Sequence, residues 1–255
     1  GMVIGLCLYL WGNKHLAPDV LAQRRAARTT GPKESMTPNE WLRVGVLMVT
    51  CLLVSLFWVV FEQQGNTMQL WADRNTNWVF AGIRIPSTWY QAFNPALIFM
   101  LAPLLSMVWA KQAARGREPA SLTKMGLGCV LLGISFIVMI VASQGMAIDA
   151  RRSVLWLVGT TVILTIGELY LSPIGLSFVT KVAPARMVSM LMGMWFLANF
   201  IGNYFSGLVG AYWEKIPHVQ FFMLMSGLGI VAGIAMLVLS RPMNKIVASH
   251  DRRAA

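Results

Sequence analysis

The chain has 255 residues, of which 56% are hydrophobic and 12% are charged, and its formal net charge is +11. Charged side chains usually make up about a quarter of a soluble domain, so this composition excludes an ordinary water-soluble fold and indicates a membrane protein. A basic surplus would suggest nucleic-acid binding in a soluble protein, but the loops of membrane proteins carry it as well.

The chain begins with a short apolar segment and a polar linker. Residues 1–13 are too short to span a bilayer and have neither a basic start nor a small-residue cleavage site. We therefore expect the end of a truncated transmembrane helix rather than a signal peptide. Residues 14–41 are polar and basic and contain three prolines, which is typical of a cytoplasmic linker.

Six long apolar stretches follow the linker. A hydrocarbon core of about 30 Å requires roughly 20 mostly apolar residues for each helix. The stretches that meet this length are 42–66, 87–110, 121–144, 153–178, 187–212 and 218–240. The sequence thus predicts a six-helix transmembrane bundle over 42–240, followed by a basic cytoplasmic tail at 241–255.

The basic residues are distributed unevenly between the two sides of the predicted bundle. The linker, alternate loops and the tail hold 16 of the 21 Lys and Arg residues, while the other side, with Arg151 and Arg152, holds five. By the positive-inside rule, the basic side and the carboxyl terminus are cytoplasmic, and the short loops fit a bacterial inner membrane. The same rule accounts for the net charge, so we predict no nucleic-acid partner.

The sequence offers little for metal or enzyme chemistry. Cys7, Cys51 and Cys129 lie in apolar stretches and the three histidines are scattered, so neither a disulfide framework nor a metal site is predicted. Phosphate-binding glycine loops and nucleophile motifs are absent from the sequence, which disfavours an enzyme.

Glu62 and Glu168 are the two acidic residues inside predicted spans. Glu168 lies about midway along its span, where an ionised carboxylate costs at least a few kcal/mol and must face a cavity, a partner or a proton. It belongs to a one-sided stripe with spacings of 4, 3, 4 and 3: Thr161, Thr165, Glu168, Ser172 and Gly175. Such a stripe is typical of a helix that lines a water-filled pathway, and the alternative is a neutral acid bonded to a neighbouring helix.

Glu62 starts a polar run near the outer end of its span, one helical turn after Trp58. We interpret it as a gate residue, with a solvated acid at a helix end as the alternative. The span 187–212 carries a second one-sided line, which we interpret as a pocket wall rather than as packing: Trp195, Asn199, Gly202 and Ser206.

Two groups of glycines lie in the third and sixth spans. They are Gly126, Gly128 and Gly133, and Gly227, Gly229 and Gly233. Small residues let transmembrane helices approach closely, so these positions predict helix contacts.

Several segments resemble the carboxyl-terminal half of the proton-dependent oligopeptide transporter family of the major facilitator superfamily. They are FWVVFEQQGNT and LWADR within 57–74, WYQAFNPALIFMLAPLLSMVW at 89–109, GELYLSPIGLSFVTKVAP at 167–184 and MGMWFLANFIGN at 192–203. The resemblance covers essentially 42–240. It implies an all-α fold of two six-helix bundles, of which this chain supplies the second bundle and the end of a preceding helix.

The resemblance also implies proton-coupled symport of di- and tripeptides, with protons as the coupling ion and no cofactor. Glu168 looks like the carboxylate that receives the peptide's amino terminus, with Asn94 beside it. Glu62 looks like the acid that takes part in proton coupling and closes the outer gate, a coupling role that Glu168 shares. The substrate-binding residues expected on this basis are Trp58, Asn94, Glu168, Ser172, Trp195 and Asn199.

The family's first six helices, with their Glu-x-x-Glu-Arg motif and the basic residues for the peptide's carboxylate, have no counterpart in this sequence. We therefore expect half a site, whose partners are the amino-terminal bundle, the peptide, protons and the lipid bilayer. Two alternatives stay open: transport of another small solute on the same scaffold, and an inactive membrane fragment.

Overall fold

The computed structural model describes residues 2–12, 36–80, 82–147 and 150–254. The chain divides after Thr37 into two units. In the first unit, Met2–Gly12 forms helix α1, and its Leu8 and Trp11 side chains are exposed. Most of the predicted linker, residues 14–35, lies outside the described residues, as does residue 13. That α1 ends a longer helix stays a prediction.

The second unit is built from long helices that run back and forth. Its helices are α2 (Pro38–Phe61), α3 (Thr67–Asn75), α4 (Tyr90–Ala114), α5 (Ser121–Ser143), α6 (Leu155–Val182), α7 (Val188–Gly210) and α8 (His218–Ala254). Short 3₁₀ turns at Glu62–Gln64 and Ser87–Trp89 precede α3 and α4. The predicted all-α membrane bundle is confirmed.

Length and composition support a membrane-spanning role for these helices. Among the described residues, five stretches are long and apolar enough to cross a bilayer: Pro38–Asn75, Ser87–Ala114, Ser121–Ser143, Leu155–Val182 and His218–Ile246. Helix α7 has 23 residues, as α5 does, but its asparagines and small residues make it less apolar. The five stretches do not include α7, so a sixth span at this helix stays a prediction.

Two helix boundaries differ from the predicted spans. The first span does not run unbroken to residue 66, because α2 ends at Phe61 and a 3₁₀ turn follows. The last helix continues past residue 240 to Ala254, with Pro242 inside it. The polar residues after 240 end the apolar stretch, but Arg, Met, Lys and Ala are good helix formers.

The loops after α3, α5 and α7 meet at one end of the bundle, which we call the hairpin end. Strand β1 (Thr76–Asn77) pairs in parallel with β4 (Arg152–Ser153), and β2 (Val79–Phe80) pairs with β3 (Ile83–Arg84) in an antiparallel hairpin. The Arg74 guanidinium reaches the Glu214 carboxylate at 2.9 Å. Arg152 donates hydrogen bonds of 3.0 Å to the carbonyl oxygens of Ala142 and Gln144, so it caps the end of α5.

Helix α5 packs between α6 and α8. A Cβ atom placed on Gly128 would lie 2.6 Å from the carbonyl oxygen of Gly167, and one on Gly229 would lie 2.8 Å from the Cα of Gly133. Backbone thus meets backbone at both contacts, and the predicted helix packing is confirmed there. At Gly227 it is wrong within the described part of the chain, because no atom there beyond the local helix backbone lies within 4 Å of the Cβ position.

The other helices complete the bundle. Helix α2 packs against α7 and α8, while α4 contacts α6. Only 6% of the apolar stretch of α4 is buried within this chain, compared with 56% for α5. Helix α4 is therefore attached mainly through its contact with α6.

Candidate functional site

Glu168 lies at the middle of α6, where α4 passes beside it. The Asn94 side chain is buried, and its Nδ2 atom donates a hydrogen bond of 2.9 Å to Oε2 of Glu168. The same nitrogen lies 3.4 Å from Oγ1 of Thr165. Asn94 and Glu168, which the resemblance places side by side, are in contact, and their role in binding stays a prediction.

The polar stripe on α6 divides into a packed part and a more open part. Thr161 and Thr165 are fully buried, and Tyr90 of α4 lies within hydrogen-bonding reach of Thr161. The prediction of a water-facing stripe is wrong for these two threonines, because α4 covers them. Glu168 and Ser172 are half-buried, so the accessible part of the stripe is confined to its second half.

Glu62 is half-buried in the 3₁₀ turn that follows α2. The Asn203 side chain of α7 lies within hydrogen-bonding reach of its carboxylate. The simple interpretation of Glu62 as a solvated acid at a helix end does not account for this contact.

Gln63 fixes the turn that carries Glu62, and sequence reasoning did not single it out. Its side chain is fully buried, and its Nε2 atom donates to the carbonyl oxygen and Oγ of Ser206, at 3.0 and 3.1 Å. Its Oε1 atom accepts a bond of 2.9 Å from Thr67. The sequence signal for Gln63 is its place in the polar run of residues 62–66, beside the charged Glu62.

Trp58 and Trp195, the two predicted pocket tryptophans, lie in helix contacts. Trp58 is 8% exposed and Trp195 is 3% exposed. A Cβ atom on Gly202 of α7 would lie 2.3 Å from Cβ of Trp58, and one on Gly175 of α6 would lie 2.0 Å from the Trp195 ring. In this conformation the Trp195 ring packs against Gly175 and the Cβ atom of Trp58 packs against Gly202, and a substrate-binding role for the two tryptophans stays a prediction.

Asn199, the remaining predicted binding residue, is half-buried on α7. Its Oδ1 atom accepts a hydrogen bond of 2.8 Å from Nδ2 of Asn203. Sequence reasoning missed Asn203, although it follows Asn199 by four residues and so lies on the same helix face. The structure therefore places Asn199 near Glu62 through one intervening side chain.

A cavity of about 510 Å³ lies at the hairpin end, away from these residues. Its lining includes Asp73, Asn77, Trp78, Arg84 and Arg151, and none of the predicted site residues belongs to it. Within the described part of the chain, no three His, Cys, Asp or Glu side chains are grouped to hold a metal ion. The chemistry available at the candidate site is therefore that of two acids, amides and hydroxyl groups.

Replacing Gln63 by leucine is expected to lower the free energy of unfolding by about 2–3 kcal/mol, because it leaves the hydroxyl groups of Ser206 and Thr67 without a buried partner. Thermal or denaturant unfolding in detergent measures this. Gln69 is a matched control, since its bonds to Asp73 and Gln91 are exposed, and Gln69→Leu is expected to change stability by less than about 0.5 kcal/mol. Equal effects of the two substitutions would contradict the role given to Gln63.

The sequence of this chain is similar to the sequences of known transporters. The family model described as PTR2, POT family, matches residues 20–226. The peptide transporter YePEPT of Yersinia enterocolitica is 39% identical over 179 residues, which cover 69% of this chain and 35% of the relative. A di-/tripeptide transporter of Lactococcus lactis subsp. cremoris is 32% identical over 196 residues, with 75% and 39% covered.

Solved structures agree with the sequence matches. The crystal structure of the peptide transporter POT in complex with sulfate superimposes with a TM-score of 0.76 and 27% identity, over 96% of this chain and 51% of that one. A POT family transporter in complex with 5-aminolevulinic acid gives 0.75 and 27%, over 95% and 52%. The chain thus spans 35–39% of the length of these curated relatives and about half of the solved chains.

Proposed function

The chain belongs to the POT family, and on this premise we propose that the protein takes part in proton-coupled uptake of di- and tripeptides, with Glu168 as the site for the peptide's amino terminus. The observation that carries the proposal is the Asn94–Glu168 contact of 2.9 Å at the middle of a spanning helix. A carboxylate at that depth needs a cation or a proton as partner, and the ammonium group of a peptide is such a cation.

Proton coupling follows from the chemistry of the same carboxyl group. An ammonium group brought beside Glu168 favours loss of the proton that the carboxyl holds, so peptide binding and proton release are linked. Glu62 offers the released proton a second carboxylate to occupy. Glu62 is thus the proposed proton-coupling and gate residue, and Trp58, Ser172, Trp195 and Asn199 complete this half of the peptide site.

The proposed membrane arrangement follows the charge distribution. The basic residues of the loops opposite the hairpin end and of the tail place that side and the carboxyl terminus in the cytoplasm, and the membrane is proposed to be a bacterial inner membrane. A complete transporter of this type needs groups for the peptide's carboxylate, which we assign to an amino-terminal six-helix bundle. Rocking of the two bundles about the central site would then carry peptide and proton inward.

The test is uptake of a labelled dipeptide by liposomes that contain the natural gene product in which this chain occurs. With an inward proton gradient, we expect accumulation of dialanine above the external concentration, and competition by a broad panel of dipeptides. If no dipeptide of the panel competes for uptake, the proposal is overturned. Lack of uptake altogether would favour the inactive-fragment alternative.

A small amino acid derivative is the second candidate substrate, because one of the superimposed POT family structures holds 5-aminolevulinic acid. That compound also carries an amino group and a carboxylate, which are the groups a peptide presents at its two ends. Competition separates the candidates: displacement of labelled 5-aminolevulinic acid by dipeptides indicates one shared site, whereas its uptake without any effect of dipeptides would favour the second substrate class.

Glu62→Gln is expected to reduce proton-driven accumulation at least about tenfold while exchange of internal for external peptide continues, because the amide cannot release a proton. Parallel measurements of accumulation and exchange test this. Glu214→Gln is the control, since Glu214 is an exposed acid paired with Arg74 at the hairpin end. Accumulation that survives unchanged in Glu62→Gln would remove the coupling role from Glu62.

A further inference from the structure

Five Lys and Arg residues lie on the side of the bundle that holds the hairpin end, and three of them are bound within the chain. Arg74 pairs with Glu214, Arg152 caps the end of α5, and the ammonium group of Lys215 lies 5.1 Å from the centre of an aromatic ring. The two remaining basic residues therefore need another explanation.

These two residues are Arg84 and Arg151, and both line the hairpin-end cavity of about 510 Å³. Their side chains are exposed. Within the described part of the chain, neither guanidinium has a carboxylate partner or a hydrogen bond. A guanidinium presents five N–H donors in a plane that matches the two oxygens of a carboxylate. The cavity therefore holds two oxyanion-binding groups that the described fold does not use.

The two arginines come from different loops, which backbone pairing holds in place. Arg84 belongs to β3, which pairs with β2, and Arg151 directly precedes β4, which pairs with β1. Trp78 attaches the hairpin to α3, because its Nε1 atom donates a hydrogen bond of 2.7 Å to the carbonyl oxygen of Ala72. The carbonyl oxygen of Trp78 accepts a bond of 2.9 Å from Ile85. Neither arginine side chain takes part in these bonds.

The rest of the lining adds an acid, an amide and an apolar wall. Oδ1 of Asp73 accepts a bond of 3.0 Å from Gln69, and its Oδ2 atom is left for another donor. Oδ1 of Asn77 accepts from a backbone N–H group, so its amide nitrogen can still donate. The apolar lining residues are Trp78, Val79, Ile85 and Pro86. The cavity volume lies within the range of about 300–1,000 Å³ that is usual for small-ligand pockets.

We propose that this cavity is an outer docking site for the substrate, in which Arg84 and Arg151 bind the carboxylate of a di- or tripeptide and Asp73 binds its ammonium group. The inference rests on the proposed function, because that function supplies the peptide and places the hairpin end on the outer side. An inorganic anion uses the arginines alone, whereas a peptide zwitterion uses both signs of charge and the apolar wall. The excess positive charge also speeds the arrival of carboxylates.

Protection from chemical modification tests the site without transport. Phenylglyoxal reacts with arginine side chains, and mass spectrometry of the purified natural gene product measures the rate at each of them. In a Glu168→Ala background, saturating dialanine is expected to slow modification of Arg84 and Arg151 by about threefold or more, because a bound carboxylate covers both guanidinium groups. Arg74 is the internal control, since it lies at the same end, pairs with Glu214 and does not line the cavity.

Three further compounds identify the ligand. A dipeptide amide lacks the carboxylate and is expected to give no protection, while an N-acetylated dipeptide keeps the carboxylate and is expected to protect at higher concentration. Glycerophosphoethanolamine carries the phosphate and the ammonium group of a lipid headgroup. Protection by this compound and by no dipeptide would overturn the proposal in favour of a lipid contact.

The protection assay also separates this inference from the proposed function. Protection by dialanine in a gene product that takes up no peptide would contradict the proposed function and leave the cavity as a peptide site. Peptide uptake without protection of either arginine would overturn the docking site and leave the proposed function in place.

Transport tests the consequence of docking. The double substitution Arg84→Gln with Arg151→Gln is expected to raise KM for dialanine by about threefold or more and to leave kcat within about twofold of wild type, because the site concentrates substrate without carrying it. Arg115→Gln is the matched control, since Arg115 is an exposed arginine of the loop after α4, outside this cavity. An unchanged KM in the double variant, or a fall in kcat alone, would overturn the proposal.

Discussion

Replacing Glu168 by alanine is expected to lower the affinity for dipeptides by about 10- to 100-fold. A charge-assisted hydrogen bond between an ammonium group and a carboxylate contributes about 1.5–3 kcal/mol, and about 2.8 kcal/mol corresponds to 100-fold in the dissociation constant. Calorimetry or displacement of a fluorescent dipeptide measures the change. Wild-type binding by Glu168→Ala would rule out the role assigned to this carboxylate.

Two controls restrict this result to the amino terminus of the peptide. Glu168→Gln keeps the size of the side chain and an oxygen that can accept from Asn94, so it is expected to lose affinity while retaining stability. An N-acetylated dipeptide lacks the ammonium group, so its weak binding is expected to be nearly the same in wild type and in Glu168→Gln. An equal loss of affinity for both peptides would point instead to damage of the pocket as a whole.

Gly133→Leu is expected to prevent assembly of the bundle or to lower its free energy of unfolding by more than about 4 kcal/mol. A Cβ atom at this position would lie 2.7 Å from the backbone nitrogen of Ile230 and 2.8 Å from the carbonyl oxygen of Ser226. These are backbone atoms of α8, so the steric clash can be relieved only if α5 and α8 move apart. Size-exclusion profiles and thermal unfolding in detergent measure the outcome.

Gly227→Leu provides the matched control for this substitution. Gly227 lies in α8, and no atom lies within 4 Å of its Cβ position. Its replacement adds the same side chain to a surface with open space and is expected to leave unfolding within about 0.5 kcal/mol of wild type. Similar instability in both variants would mean that hydrophobicity or helix propensity, rather than the α5–α8 approach, determines the effect.

The long helices could be predicted from the sequence because a bilayer imposes a minimum apolar length. The glycine contacts of α5 followed from the same reasoning, since backbone approach requires small residues at helical spacing. The break at Glu62–Gln64 could not be predicted in this way. It depends on the hydrogen bonds from Gln63 to Ser206 of α7, 143 residues further along the chain. No local sequence pattern indicates such a contact.

At the candidate site, polarity inside spans identified the residues but not their surroundings. Glu168 stands out because its charge is unfavourable in a membrane, while Thr161 and Thr165 look equally polar and are covered by α4. The two-residue strands were missed since they are too short for an alternating pattern. Asn203 lay on a recognised helix face, yet its contact with Glu62 depends on how α7 docks against the break.

The sparse burial of α4 links the position of this helix to the state of its carboxylate neighbour. Few α4 side chains interlock with the rest of this chain, and the hydrogen bond from Asn94 to Glu168 is one of the ties that hold it to α6. A cation that binds the same carboxylate oxygen competes with Asn94 and breaks this hydrogen bond. Within this chain, occupation of Glu168 by a cation is therefore expected to loosen the attachment of α4 to α6.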